Sequence, residues 1–200
     1  MSLRHQPKAA LINDFSGFGR CSVTVALPII SQMKVQCCPV LTSVFSNHTG
    51  YPSFYFDDYT EKMPSYIAEW KKLNLHFECI AAGFLGSERQ IEIVKNFIRD
   101  FKDETTKVLI DPVMGDHGRT YQTFTPEMCS QMKQLAHFAD ILTPNLTEAC
   151  ILTDTPYHDG HWQMSELSEL ALSLIAMGPS KVVITGVSMG TFIGNVICES

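Results

Sequence analysis

The sequence has no apolar run long enough to cross a bilayer: the longest, such as Val23 to Ile30, falls well short of the ~20 residues a spanning helix needs. Nothing near Met1 reads as the apolar core of a secretory signal. Basic residues are scarce, 15 Lys plus Arg against 21 Asp plus Glu, and they cluster nowhere beyond Lys71-Lys72. A formal charge of -6 therefore argues against nucleic acid and anionic membrane as partners. The seven cysteines (Cys21, Cys37, Cys38, Cys79, Cys129, Cys150, Cys198) contain no CxxC pair and are odd in number. They read as reduced thiols of a cytoplasmic protein, buried for structural reasons rather than nucleophilic. Charged residues are also few, 18% against 45% hydrophobic, which excludes whole-chain disorder and calls for a large core. The 200 residues suit one domain spanning 1–200.

What is present alternates. Residues 8–13 form a short apolar run closed by the turn-rich Asp14-Phe-Ser-Gly-Phe-Gly19, after which Val23, Leu27, Ile30 and Met33 recur at helical spacing. Pro28 is expected to kink that helix or to sit near a break. Further strands are expected at 35–45, 78–84, 107–110, 140–142, 181–185 and 191–198, the last two separated by a Met189-Gly190 turn. Helices are expected at 59–73, 88–101, 126–137 and 146–152, and one more carries Met164, Leu167, Leu170, Ala171, Leu174 and Met177 as its apolar stripe. Apolar strands alternating with amphipathic helices predict an α/β fold, with a mostly parallel central sheet covered by helices on both faces in three α/β/α layers. Ligands in such sheets bind outside the carboxyl ends of the strands.

Several common signatures are missing from the loops at those ends. Gly17-Phe-Gly19 follows a strand and opens a helix, but the third small position is Ser22, and no Asp or Glu occurs between Phe15 and Phe56 to hold a ribose, which weighs against NAD. GxxxxGK[ST] does not occur, which removes P-loop chemistry. His158 and His161 form an HxxH in a solvated loop without a third ligand at zinc spacing. What remains is an acidic constellation: Asp111 and Asp116 flank one strand-end loop, and Asn145 with Glu148 opens the helix after the next strand. Such oxygen ligands suit Mg²⁺ with substrate phosphates. The competing reading is local, with Asn145 as a helix cap and Glu148 as its capping-box acid. For His48, beside Asn47 and Thr49, that reading is a hydrogen-bonded turn histidine.

Taken in order, Phe45-Ser-Asn-His-Thr-Gly50, Gly83-Phe-Leu-Gly-Ser87, Asp111-Pro-Val-Met-Gly-Asp116, Ala139-Asp-Ile-Leu-Thr-Pro-Asn145 and Met177-Gly-Pro-Ser-Lys-Val-Val-Ile-Thr185 resemble the blocks of the vitamin-kinase branch of the ribokinase superfamily, most closely pyridoxal kinases. The first loop, Asp14 to Gly19, is instead similar to that of the hydroxymethylpyrimidine kinases. The resemblance implies a ribokinase-like fold and transfer of the ATP γ-phosphate to the 5′-hydroxymethyl of a vitamin B6 vitamer. It implies Asp111, Asp116, Asn145, Glu148 and Thr185 along the nucleotide, with Asp111 and Glu148 on Mg²⁺, and Asp14, Phe45, His48, Thr49 and Phe84 around the heterocycle. It further implies a monovalent cation as a second cofactor and a homodimer. The family's Gly-x-Gly-Asp, which carries the general base, does not occur in the sequence, so no catalytic base is assigned. The expectation is that this motif lies beyond Ser200 and that the 200 residues alone are inactive. A hydroxymethylpyrimidine kinase and a non-catalytic ligand-binding relative are the alternatives.

Overall fold

The computed structural model describes residues 6–122 and 124–200. The chain divides into two compact units, Met1–Lys107 and Val108–Ser200. In the first, strand β1 (Lys8–Ser16) buries Ala9, Ala10, Leu11 and Ile12. Helix α1 (Ser22–Gln32) then leads to β2 (Gln36–Phe45), which lies parallel to β1. A short strand β3 (Phe56–Asp58) adds antiparallel to β2. After helix α2 (Met63–Lys72), β4 (Cys79–Ala82) pairs in parallel with the other side of β1. The order is thus β4-β1-β2-β3.

Helix α3 (Glu88–Phe101) shows why the apolar stripe works. Ser87 caps its N-terminus by accepting a hydrogen bond from the Gln90 amide, and Ile91, Val94, Ile98 and Phe101 recur on the face that is buried. Phe97 and Phe101 meet Phe77 tilted and edge on, and Trp70 of α2 joins them, so an aromatic cluster sits within this unit's mainly aliphatic core.

In the second unit, β5 (Lys107–Ile110) is followed by a two-strand hairpin, β6 (Gly115–Asp116) and β7 (Arg119–Thr120). Helix α4 (Pro126–Ala136) is capped by Thr125 and has Pro126 in its first turn, where the missing N–H costs nothing. Strand β8 (Ile141–Leu142), helix α5 (Leu146–Thr153), helix α6 (Met164–Ile175), β9 (Lys181–Met189) and β10 (Phe192–Glu199) complete it. β5, β8 and β9 run parallel, and β10 turns back against β9.

The expected α/β alternation is present in both units, with several corrections. β1 continues through Ser16 instead of giving way to a loop at Asp14, because a bulge after Asn13 lets Phe15 and Ser16 go on pairing with β2. The expected helix at 59–73 begins only at Met63: Asp58 accepts hydrogen bonds from the Thr60 amide and hydroxyl and closes a turn there. The strand expected at 78–84 is confined to Cys79–Ala82, so Gly83 and Phe84 lie in the loop beyond it. β9 runs on to Met189 because β10 pairs with it along that length, and the turn falls at Gly190 as expected, with φ +67. Pro28 lies inside α1. The stripe expected on α1 is not a buried face: Val23 is buried, whereas Leu27 is 39% and Met33 71% exposed. On α6, Met164 is exposed, Met177 lies past the helix end, and Leu167, Leu170, Ala171 and Leu174 form the buried face. Of the cysteines, Cys150 alone is fully buried, and burial pushes its thiol up to about 11.

Candidate active site

In the first unit, the residues expected around a heterocycle lie on the ends of β1, β2 and β4. Asp14 is buried near the end of β1, where its carboxylate accepts a hydrogen bond from the Ser16 hydroxyl at 3.1 Å. Phe45 closes β2, and its ring meets Phe84 at 6.0 Å, edge on. Phe54 and Phe56 lie 5.7 and 4.9 Å from it, so three rings meet that of Phe45. Reading the sequence motif by motif missed Phe54 and Phe56, although an aromatic run at 54–56 just after the Ser46 to Gly50 turn was a visible signal. It also missed Asn13, whose Oδ1 accepts from the Phe84 amide at 3.0 Å and holds that ring's backbone to the end of β1.

His48 is held by backbone. The loop after β1 is fastened to the loop after β2: the Gly17 amide donates to the Phe45 carbonyl at 3.0 Å, and the His48 amide to the Phe18 carbonyl at 2.8 Å. Gly19 has φ +117, and any side chain there would come within 2.7 Å of the His48 Cβ, so both conformation and space require glycine. The His48 Nδ1 accepts from the Gly50 amide at 3.0 Å. His48 is therefore a turn histidine, as the local reading had it. That bond places the proton of the neutral ring on Nε2, on an exposed side chain able to donate outward. Thr49 is exposed beside it. A cavity of about 450 Å³ runs along Gly17, Phe18, Gly19, Arg20 and Thr24.

In the second unit, the acidic constellation is assembled by a helix cap. Asn145 is the N-cap of α5: its side chain accepts from the Glu148 amide at 3.0 Å, and Glu148 accepts from the Asn145 amide at 2.8 Å. The local reading is thus realised, and it is also what builds the site. The other Glu148 oxygen accepts from the Met114 amide at 3.1 Å, and the Asn145 side-chain amide donates to the Gly115 carbonyl at 2.8 Å. The loop carrying Asp111 and Asp116 is thereby locked onto the start of α5.

Burial governs the electrostatics. It pushes the Glu148 carboxyl up to about 7, with the Asp111 charge adding to the rise against the backbone donors, and it pushes Asp111 up to about 6. Tyr121, which sequence reading did not single out, has its hydroxyl raised by burial and then by the charges of Glu148, Asp116 and Asp111. Asp116 itself is exposed and accepts from the His117 amide at 2.8 Å across the tip of the β6–β7 hairpin. Gly115 has no alternative there: a Cβ would meet the Arg119 carbonyl oxygen at 2.2 Å. Thr185 joins the start of α5 through its amide, which donates to the Pro144 carbonyl at 2.8 Å, and through a bridge to Asn145.

No group of three or more His, Cys, Asp or Glu among the described residues could hold a metal ion. Asp111 and Glu148 supply two carboxylates, so a divalent ion there would complete its shell with phosphate and water oxygens, as Mg²⁺ does. Two carboxyls, Glu148 buried and Asp111 half-buried, held well above their ordinary range are a site that gains from a cation. A separate groove of about 590 Å³, lined by α4, α5 and Tyr157, meets this region at Gly118 and Thr147 and contains none of the residues expected along the nucleotide.

The phosphomethylpyrimidine kinase family matches residues 27–199. A pyridoxal kinase of Arabidopsis thaliana is 31% identical over 161 residues, covering 76% of this chain and 49% of that protein. A crystal structure from Bacteroides thetaiotaomicron, assigned as a phosphomethylpyrimidine kinase, superposes with a TM-score of 0.94 at 45% identity, covering 100% of this chain and 69% of that one. A second crystal form of it, solved with pyridoxal, gives 0.89 at 47% identity over 94% of this chain and 65% of that one. The chain spans about half the length of the curated relatives it matches. With the fold, the ordered loops and the family match in agreement, the chain belongs to the phosphomethylpyrimidine kinase family, within the ribokinase-like superfamily that includes the pyridoxal kinases.

Proposed function

We propose that this protein phosphorylates the 5′-hydroxymethyl group of a vitamin B6 vitamer with ATP. The observation that carries the reading is the Asn145–Glu148 cap, which locks the loop bearing Asp111 and Asp116 to a helix N-terminus. Phosphoryl transfer asks the protein mainly for position and charge neutralisation, and a rigid acidic loop beside helix N–H groups suits a metal-bound triphosphate. Asp111 and Glu148 would hold Mg²⁺, which when bound neutralises phosphate charge. Asn145 and Thr185 would lie along the nucleotide, and a monovalent cation would complete the cofactors. The Phe45 ring cluster covers the faces of a flat heterocycle, and Asp14, His48 and Thr49 reach its polar edge. The pyridoxal bound to the Bacteroides relative at 47% identity supports a B6 vitamer as the alcohol.

Hydroxymethylpyrimidine is the second reading, favoured by the matching family and by the Asp14 to Gly19 loop. The same proposal takes the protein as cytoplasmic and as a homodimer, the latter supported by the exposed Leu27 and Ile29 of α1 and Met33 just past its end. No described helix is long and apolar enough to cross a membrane.

The product of the complete gene tests this. Calorimetry should find ATP binding that depends on Mg²⁺ and weakens in Glu148→Ala and Asp116→Asn; equal affinity with and without Mg²⁺ overturns the nucleotide site. A competition assay should give pyridoxal the higher kcat/KM. A higher value for hydroxymethylpyrimidine makes the first loop the better guide to the substrate.

A further inference from the structure

Ser87-Glu-Arg-Gln90 has the spacing of a capping box, in which the fourth residue needs only an oxygen to accept from the cap's own amide. Gln90 does something else. Its Oε1 accepts from the amide of Gly86, one residue before the cap, at 2.7 Å. Its Nε2, which a glutamate would lack, donates to the Thr42 carbonyl at 2.9 Å and the Thr60 hydroxyl at 2.7 Å, with Asp58 Oδ1 at 3.1 Å. The side chain is wholly buried. One amide therefore ties together the loop after β4, the middle of β2 and the turn after β3.

Those segments carry the aromatic cluster. Thr42 lies three residues before Phe45, Asp58 two after Phe56, and Gly86 two after Phe84. Ser43 and Phe45 point to the same face of β2, and Ser43 Oγ and the Phe84 ring are both within 4 Å of where a Cβ on Gly86 would stand. The side chains of β2 add no hydrogen bond of their own to this seam: the hydroxyls of Thr42 and Ser43 are buried without a partner among the described residues. Asn13 holds the Phe84 amide from one side, and Gln90 holds the Gly86 amide from the other.

We propose that Gln90 is a positioning residue for heterocycle recognition, its side-chain amide fixing the Phe84 loop against β2 so that Phe84 and Phe45 are held at the spacing that grips a flat ring. This rests on the kinase reading above. A buried amide with its donors and acceptor engaged is rigid, whereas an apolar residue of the same size would leave the Gly86 amide unsatisfied and the Thr42 carbonyl with the Tyr59 amide as its remaining donor.

The test compares Gln90→Glu and Gln90→Met with wild type in the complete gene product. Glutamate keeps the acceptor that a helix cap requires and loses the donor; methionine loses both. Both should raise KM for the heterocyclic alcohol that the wild type uses, pyridoxal or hydroxymethylpyrimidine, by roughly tenfold, with kcat and KM for ATP within about twofold. A Gln90→Glu enzyme with wild-type constants reduces Gln90 to a helix cap and overturns the proposal, as does a parallel loss in KM for both substrates and in kcat. Amide hydrogen exchange, which needs no substrate, gives the second measurement: Gly86 should exchange faster in Gln90→Met, and protection that survives the substitution overturns the bridge. The kinase reading fails separately, in the wild-type arm, if neither alcohol is phosphorylated.

Discussion

The two units solve different recognition problems with different materials. In the first, the candidate site is a set of rings, Phe45 with Phe54, Phe56 and Phe84, held by backbone hydrogen bonds between loops, and its one histidine is tied into a turn. In the second, the site is a set of carboxyls, and burial raises two of them well above their ordinary values. Shape carries the first and charge the second. The difference teaches where each is fragile: the ring site fails when packing is lost, while the acid site responds to protons and cations.

The largest effect should come from removing the central ring. Phe45→Ala leaves a cavity among its partners, and such truncations cost about 3–5 kcal/mol in a packed core. Thermal melts of the ligand-free protein should show it, with Phe45→Leu losing clearly less. Equal losses for the two variants would mean that the aromatic packing contributes little.

Glu148→Ala comes next and should act on the other region. It leaves the Met114 and Asn145 amides without an acceptor and releases the acid loop from α5. ATP affinity in the presence of Mg²⁺ should fall by about a hundredfold, while affinity for the heterocycle stays within about twofold. Calorimetry with each ligand separates the two, and a matched loss of both would erase the distinction drawn between the regions.

Acidity sharpens the comparison further. Folded values of about 6 for Asp111 and about 7 for Glu148 stand above their ordinary 3.8 and 4.5, so the folded chain binds more protons than the unfolded one between those limits. Stability of the ligand-free protein should therefore fall as pH rises from about 4 to about 7 and then level off. Urea unfolding across that range measures the slope, and Glu148→Gln should flatten much of it. A slope of the opposite sign would show that these carboxyls are already compensated.

The smallest effect belongs to His48. Its ring is exposed and its Nδ1 is already engaged by Gly50, so His48→Ala should raise KM for the heterocycle by about threefold and leave KM for ATP unchanged. A hundredfold loss of kcat would make it part of the chemical step instead.

Legibility followed the range of the interactions. The Asn145–Glu148 cap and the helix starts at Glu88 and Pro126 are local, and the sequence alone predicted them. The continuation of β1 past Asp14, the short strand β3 and the β6–β7 hairpin depend on partners far away in sequence or on turn geometry with Gly118 at φ +73. Periodicity carries no record of such pairings. Gln90 illustrates the limit: its spacing from Ser87 marks a capping box, yet its amide reaches past the cap to strands placed there by the fold.

By itself, then, the sequence determined the α/β alternation, the helix starts at Glu88, Pro126 and Leu146 and the residues that crowd each strand-end loop, because these depend on side-chain period, capping and turn chemistry within a few residues. The tertiary structure decided which of those residues meet: that Phe54 and Phe56 join Phe45, that Glu148 fastens the loop of Asp111, and that the apolar residues of α1 stay largely exposed. The physical reason is that burial and hydrogen-bond satisfaction are properties of the assembled chain. A glutamate becomes a loop clasp with a raised pKa only once the fold has brought distant backbone amides to its oxygens and removed the water around them.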